Sequence, residues 1–241
     1  SGAGAKKIST DGTVSLGLAG AITLGDGQML LVEGGSVSQI VTAQGGYDGG
    51  GTPSIIRGSG HFANDIHVAH HSQLDIDWDG VLDTNISLEA ESSDAAYLSL
   101  KKDLVFAPGY CVVTTDAAGG NNEVLSDGYR IFIGGTSDND LHIAHSQEWA
   151  GVGTHLFGPV TLEAGTTFYL GGSASLNGCG NTWTFGDDTA RLSLIGDNVQ
   201  VTDITFAGYS GSNITFSGDS MRFANVRFNE AAGRLVTFTG S

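Results

Sequence analysis

Two phrases hold most of the histidines of this chain. Asn64-Asp65-Ile66-His67-Val68-Ala69-His70 returns 75 residues later as Asn139-Asp140-Leu141-His142-Ile143-Ala144-His145. Imidazole nitrogens are common transition-metal ligands, so His67, His70, His142 and His145 form one candidate metal set. On a strand, residues three apart face opposite sides, so His67 and His70 share an ion only if a corner lies between them. The competing expectation is structural: corner residues that hydrogen-bond between neighbouring turns of the fold.

A second candidate site is Leu74-Asp75-Ile76-Asp77-Trp78-Asp79-Gly80-Val81-Leu82-Asp83. Asp75, Asp77 and Asp79 before Gly80, with Asp83 in ninth place, match the opening of a calcium loop, so calcium is the cofactor to consider. The twelfth place is Ile86, where such a loop needs a bidentate Glu. The alternative is a strand with Leu74, Ile76 and Trp78 inward and three carboxylates outward, where like charges repel.

No catalytic residues are assigned. The chain has no Gly-x-Ser-x-Gly elbow, no phosphate-binding Gly-rich loop and no HExxH pair. Polysaccharide cleavage would need clustered carboxylates with a basic residue or calcium, and Asp203 and Asn225 are expected to be corner residues instead. Trp183 is expected in the core, while Trp78 and Trp149 are open between core and a sugar-stacking platform.

The elements that must position these groups are read from a repeat. Gly196-Asp197-Asn198-Val199-Gln200-Val201-Thr202-Asp203-Ile204-Thr205-Phe206 overlies Gly218-Asp219-Ser220-Met221-Arg222-Phe223-Ala224-Asn225-Val226-Arg227-Phe228 at an offset of 22. At the same offset Leu192-Ser193-Leu194 overlies Ile214-Thr215-Phe216, which overlies Val236-Thr237-Phe238. Asn181-Thr182-Trp183-Thr184-Phe185 precedes Thr202-Asp203-Ile204-Thr205-Phe206 by 21. Apolar residues alternate with polar ones and slip once at Thr202-Asp203 and at Ala224-Asn225, which marks two short strands joined by a corner. Such a unit cannot bury its own apolar face, but stacked copies put Phe over Phe in interior ladders. The fold class expected is all-β, a single-stranded parallel β-helix with coils of about 22 residues.

The first half has the same texture with looser spacing: Thr13–Leu16, Ala21–Leu24, Met29–Val32 and Gln39–Thr42 lie between Gly-rich turns. One domain over residues 1–241 is expected, with Gly45–Pro53 as a long loop or a subdomain break. The late repeats, with their Ile-Thr-Phe and Phe-Ala-Asn-Val-Arg-Phe-Asn phrases, resemble right-handed parallel β-helices of the pectin-lyase-like type. They are similar also to passenger domains of bacterial polymorphic outer-membrane proteins and autotransporters. That resemblance is at the level of fold.

The chain carries 38 Gly and only 3 Pro, and its 10 Lys and Arg against 26 Asp and Glu give a net charge of −16. A nucleic-acid backbone or an anionic membrane surface would be repelled, and no apolar run is long enough to span a membrane. Acidic, Gly-rich and Lys-poor composition is read as extracellular or cell-surface. Ser1–Ala5 lacks an initiator Met and is read as a processed start. Cys111 and Cys179 either pair in a disulfide or stay as separate thiols.

The chain stops one strand into a coil, at Leu235, Val236, Thr237 and Phe238, and an open strand edge invites pairing. The function expected is therefore a non-enzymatic extracellular structural protein, a filament or matrix-fibre subunit that polymerises head to tail with itself. The alternative is a surface adhesin that binds carbohydrate or host matrix; a polysaccharide lyase or hydrolase comes last.

Overall fold

The computed structural model describes residues 6–9, 20–46, 50–91, 95–114, 122–126, 128–208, 213–229 and 235–239. Among them there is no helix; parallel strands stack about 23 residues apart in sequence. The protein is a parallel β-solenoid. The expected strand at Thr13–Leu16 lies outside the described residues. No helix among those described is long and apolar enough to cross a membrane.

Contacts divide the chain into two compact units, Ser1–Ala107 with Cys111–Leu125, and Pro108–Tyr110 with Ser126–Ser241. The division follows from the architecture, since each coil packs on its neighbours and no central core ties all coils together. Gly45–Pro53 falls within the first of these units, after β4 and before β5 in the chain, and residues 47–49 of it lie outside the described residues.

The first unit holds thirteen strands. One sheet is β1 (Lys6–Ser9), β3 (Met29–Val37), β5 (Ser54–Phe62), β7 (Ser72–Trp78), β10 (Ala96–Leu100) and β13 (Asn122–Leu125). A second is β2 (Ile22–Leu24), β4 (Val41–Ala43), β6 (Ile66–Ala69), β9 (Ile86–Glu89) and β12 (Val112–Thr114), and the short β8 (Val81–Leu82) and β11 (Leu104–Phe106) pair on the remaining side. All named pairs are parallel, so like positions of successive coils fall in register. Ile22, Val41, Ile66, Ile86 and Val112 form one interior ladder, and Leu24, Ala43, Val68, Leu88 and Thr114 the next. Every member of both is buried.

The second unit holds β14 (Arg130–Ile133), β15 (Leu141–Ile143), β16 (Gln147–Ala150), β17 (Gly153–Leu156), β18 (Val160–Leu162), β19 (Thr167–Gly171), β20 (Ser175–Asn177), β21 (Thr182–Phe185), β22 (Arg191–Ile195), β23 (Gln200–Gly208), β24 (Asn213–Ser217), β25 (Arg222–Phe228) and β26 (Leu235–Thr239). Strands β16, β19, β22, β24 and β26 form one sheet; two arms, β14-β17-β20 and β15-β18-β21, both run into the long β23. The repeat offset of 22 holds here: Val201 pairs with Phe223, Ile204 with Val226, Leu194 with Phe216 and Phe216 with Phe238. The bend within β23 and β25 sits at Asp203 and Asn225, both left-handed at φ 50° and 54°, and Asn225 Nδ2 donates to Asp203 Oδ1 at 2.8 Å. Short polar side chains hold that conformation at low cost.

One register differs from the sequence expectation. Trp183 pairs with Phe206, not Ile204, an offset of 23 rather than 21. A shift of two keeps every side chain on its own face, so the alternation alone does not detect it.

Candidate functional site

The aspartates of the calcium-like motif lie along an extended strand. Leu74, Ile76 and Trp78 are buried to 1% exposure or less, and Asp75, Asp77 and Asp79 point outward on and just after β7. Calcium coordination needs a loop that curls its oxygens onto one centre, whereas alternate side chains of a strand stand about 6.7 Å apart. Basic side chains meet the carboxylates instead. Arg57, opposite Asp77 in the register, donates from Nε to its Oδ2 at 2.6 Å, and Lys102 Nζ reaches Asp77 Oδ1 at 2.6 Å and Asp79 Oδ1 at 2.8 Å. Lys101 Nζ lies 3.3 Å from Asp75 Oδ2 and donates to Ser99 Oγ at 2.9 Å. Partial burial of Asp77 works to raise its pKa, but the hydrogen bonds and charges of Lys102 and then Arg57 outweigh it and hold the carboxyl below its ordinary value. Asp83 turns elsewhere and engages His61.

The histidines pair with acids of the next coil. His67 Nδ1 meets Glu89 Oε1, and His142 Nδ1 meets Glu163 Oε1 in the same atom-for-atom arrangement. The preceding aspartates match as well: Asp65 Oδ1 accepts from Thr84 Oγ1 at 3.3 Å, and Asp140 Oδ2 from Thr161 Oγ1 at 2.8 Å. The repeated phrase thus builds one clasp per unit, in which an Asp and a His each bind a residue 19 to 22 positions onward. His70 Nδ1 stands 3.8 Å from Glu91 beyond the end of β6, and His145 is exposed after β15. The four histidines are not brought together, and among the described residues no group of three or more His, Cys, Asp or Glu has metal-binding geometry.

Cys111 is buried in the first unit and Cys179 exposed in the second, and both thiols are free. Burial, with a smaller contribution from the Asp65 charge, pushes the Cys111 thiol up to about 12. All three tryptophans are core: Trp78, Trp149 and Trp183 are exposed by 1% or less, and Phe168 packs against both Trp149 and Trp183. None offers a platform for a sugar.

At β26, Val236 and Thr237 are half-buried, Phe238 is 55% exposed, and the strand, Leu235 included, pairs with β24. Residues absent from the sequence reading also emerge: Glu89 and Glu163 as clasp partners, Arg57, Lys101 and Lys102 as counter-ions, and a cleft containing Asp26 and Gln44. The clasp acids lie 21 or 22 residues after their histidines, so the repeat offset applied to charges would have found them.

A parallel β-solenoid with inter-coil polar clasps is the class that this fold and these residues define. Comparison with protein-family models, with curated proteins and with solved structures gave no match.

Proposed function

We propose that this chain is an extracellular structural protein whose solenoid assembles end to end by strand pairing, the open outer coil of the second unit taking the first coil of another copy. The state of that outer coil carries this reading. Trp149, Leu170, Leu194 and Phe216 form a ladder exposed by 1% or less, and its next member, Phe238, is 55% exposed. A second ladder, Ile131, Thr154, Leu176 and Val201, is fully buried and gives way to Phe223 at 38%. Among the described residues β25 pairs only with β23 and β26 only with β24, so no described strand takes up the N–H and C=O groups of their outer edges.

Exposed rings beside an unused strand edge make a place where another strand adds. Among the described residues of the first unit β1 likewise pairs only with β3, and its other edge is the one proposed to meet the incoming copy. A contact between two different edges leaves one of each unpaired on every pair of copies, so repetition without ring closure gives a filament. The acidic composition, with a net charge of −16, supports a setting outside the cell and keeps unassembled copies soluble.

One observation favours a second reading. Ile22 and Leu24 begin the interior ladders of the first unit yet are only 7% and 0% exposed. If that side is already covered, two copies would pair outer coil to outer coil, antiparallel, as a closed dimer. Sedimentation velocity over a concentration series separates the readings. Species that grow with concentration and vanish in Phe238→Asp support the filament, and a species that stops at two copies supports the dimer. A monomer at every concentration, or association untouched by Phe238→Asp, rejects both.

A further inference from the structure

A cleft of about 370 Å³ opens at a corner of the first unit, a volume that admits a small ligand. Three successive coils line it: Asp26 in the turn after β2, Gln44 and Gly46 after β4, and His70 and His71 between β6 and β7 with Ser72 at the start of β7. These groups are held in place. Asp26 Oδ1 accepts the Gly46 N–H at 2.6 Å. Ser72 Oγ donates to the His70 carbonyl at 3.1 Å, and His71 is held left-handed at φ 57°, a conformation unusual for a residue with a side chain. The two imidazoles stand edge to face with centroids 5.7 Å apart, and His70 Nδ1 is 3.8 Å from Glu91.

The cleft therefore offers a fixed carboxylate whose Oδ2 takes no hydrogen bond from the described residues. It also offers the exposed Gln44 amide, able to donate and accept, and the imidazole of His70. An anionic ligand would meet the charges of Asp26 and Glu91 within a chain of net charge −16. An apolar ligand would strip water from the carboxylate and return no hydrogen bond. Neighbouring hydroxyl groups fit both needs, each donating to a carboxylate oxygen while accepting from an amide or imidazole N–H. We propose that this cleft binds a neutral saccharide, with Asp26 and Gln44 as its principal hydrogen-bonding residues. The inference is independent of end-to-end assembly.

The test is two-dimensional amide NMR of the full chain titrated with glucose, galactose, mannose, N-acetylglucosamine and their disaccharides, with glucuronate and inorganic phosphate as controls. The expected result is a saturable shift, with at least one neutral sugar, at the amides of Gly46, Ala69, His71 and Ser72. Asp26→Asn keeps an acceptor for the Gly46 N–H but turns the second oxygen into a donor, and should weaken binding about tenfold, the worth of one charge-assisted hydrogen bond. Gln44→Ala, at an exposed side chain, should weaken it severalfold with the remaining spectrum unchanged, and decides the matter if Asp26→Asn does not fold. Silence with every neutral sugar, shifts only with glucuronate or phosphate, or full affinity in the variants that fold would overturn the proposal.

Discussion

Phe216 and Phe238 occupy the same column of one sheet in successive coils, so truncating each in turn compares a closed position with an open one. Phe216 is 0% exposed and its ring meets Phe223 at 4.9 Å, Phe238 at 5.2 Å and Phe206 at 6.4 Å. Removing it deletes a fully buried ring and leaves a cavity, which costs about 3–5 kcal/mol. Phe238 is 55% exposed, so roughly half the transfer free energy of a buried phenylalanine is at stake, together with its contacts to Phe216 and Phe223 at 5.2 and 5.4 Å. That amounts to about 1–2 kcal/mol. Because a coil touches only its neighbours, the loss at Phe238 also stays local. Urea unfolding at high dilution, followed by tryptophan fluorescence and circular dichroism, should give Phe216→Ala a loss at least twice that of Phe238→Ala. Equal losses would mean that the outer coil is packed like an inner one, and the reasoning from exposure would fail.

At Gly196, with φ +144°, a Cβ would run into the carbonyl oxygen of Gly172, whereas Gly180, at φ +86°, has open space. Gly180→Ala should cost about 1 kcal/mol from its backbone conformation alone, and Gly196→Ala clearly more, measured as the fall in melting temperature. A thiol reagent at mildly alkaline pH should modify Cys179 in the native protein and reach Cys111, whose thiol stays protonated and buried, only after denaturation. Asp77 titrates below its ordinary value, so the stability from its ion pairs is present at neutral pH and is lost as the pH falls below about 4. Lys102→Met should therefore lower stability by up to about 1 kcal/mol at neutral pH and by nothing at strongly acid pH, read from denaturation curves at each pH.

The coil was legible where its length is constant. Val201 and Phe223, Phe206 and Phe228, and the corners at Asp203 and Asn225 all follow from one offset, because nothing is inserted between those coils. Between β21 and β23 the offset becomes 23, and a two-residue shift leaves no trace in an alternating pattern. In the first unit the spacing runs from 19 residues between Ile22 and Val41 to 26 between Ile86 and Val112, so the strands were visible but their stacking was not. The sequence leaves the placement of Trp78 and Trp149 open for that reason: neither lies in a phrase that can be laid over a neighbour. The histidines were found by residue type, but their partners Glu89 and Glu163 depend on which coil lies next. The cleft was hidden more deeply, since Asp26, Gln44 and His70 come from three coils of unequal length and share no motif.

Negative-stain electron microscopy of the purified chain over a concentration series tests end-to-end assembly most directly. The expected images show unbranched fibres of uniform width that lengthen with concentration and disappear in Phe238→Asp. Short particles of a single length at every concentration would contradict it.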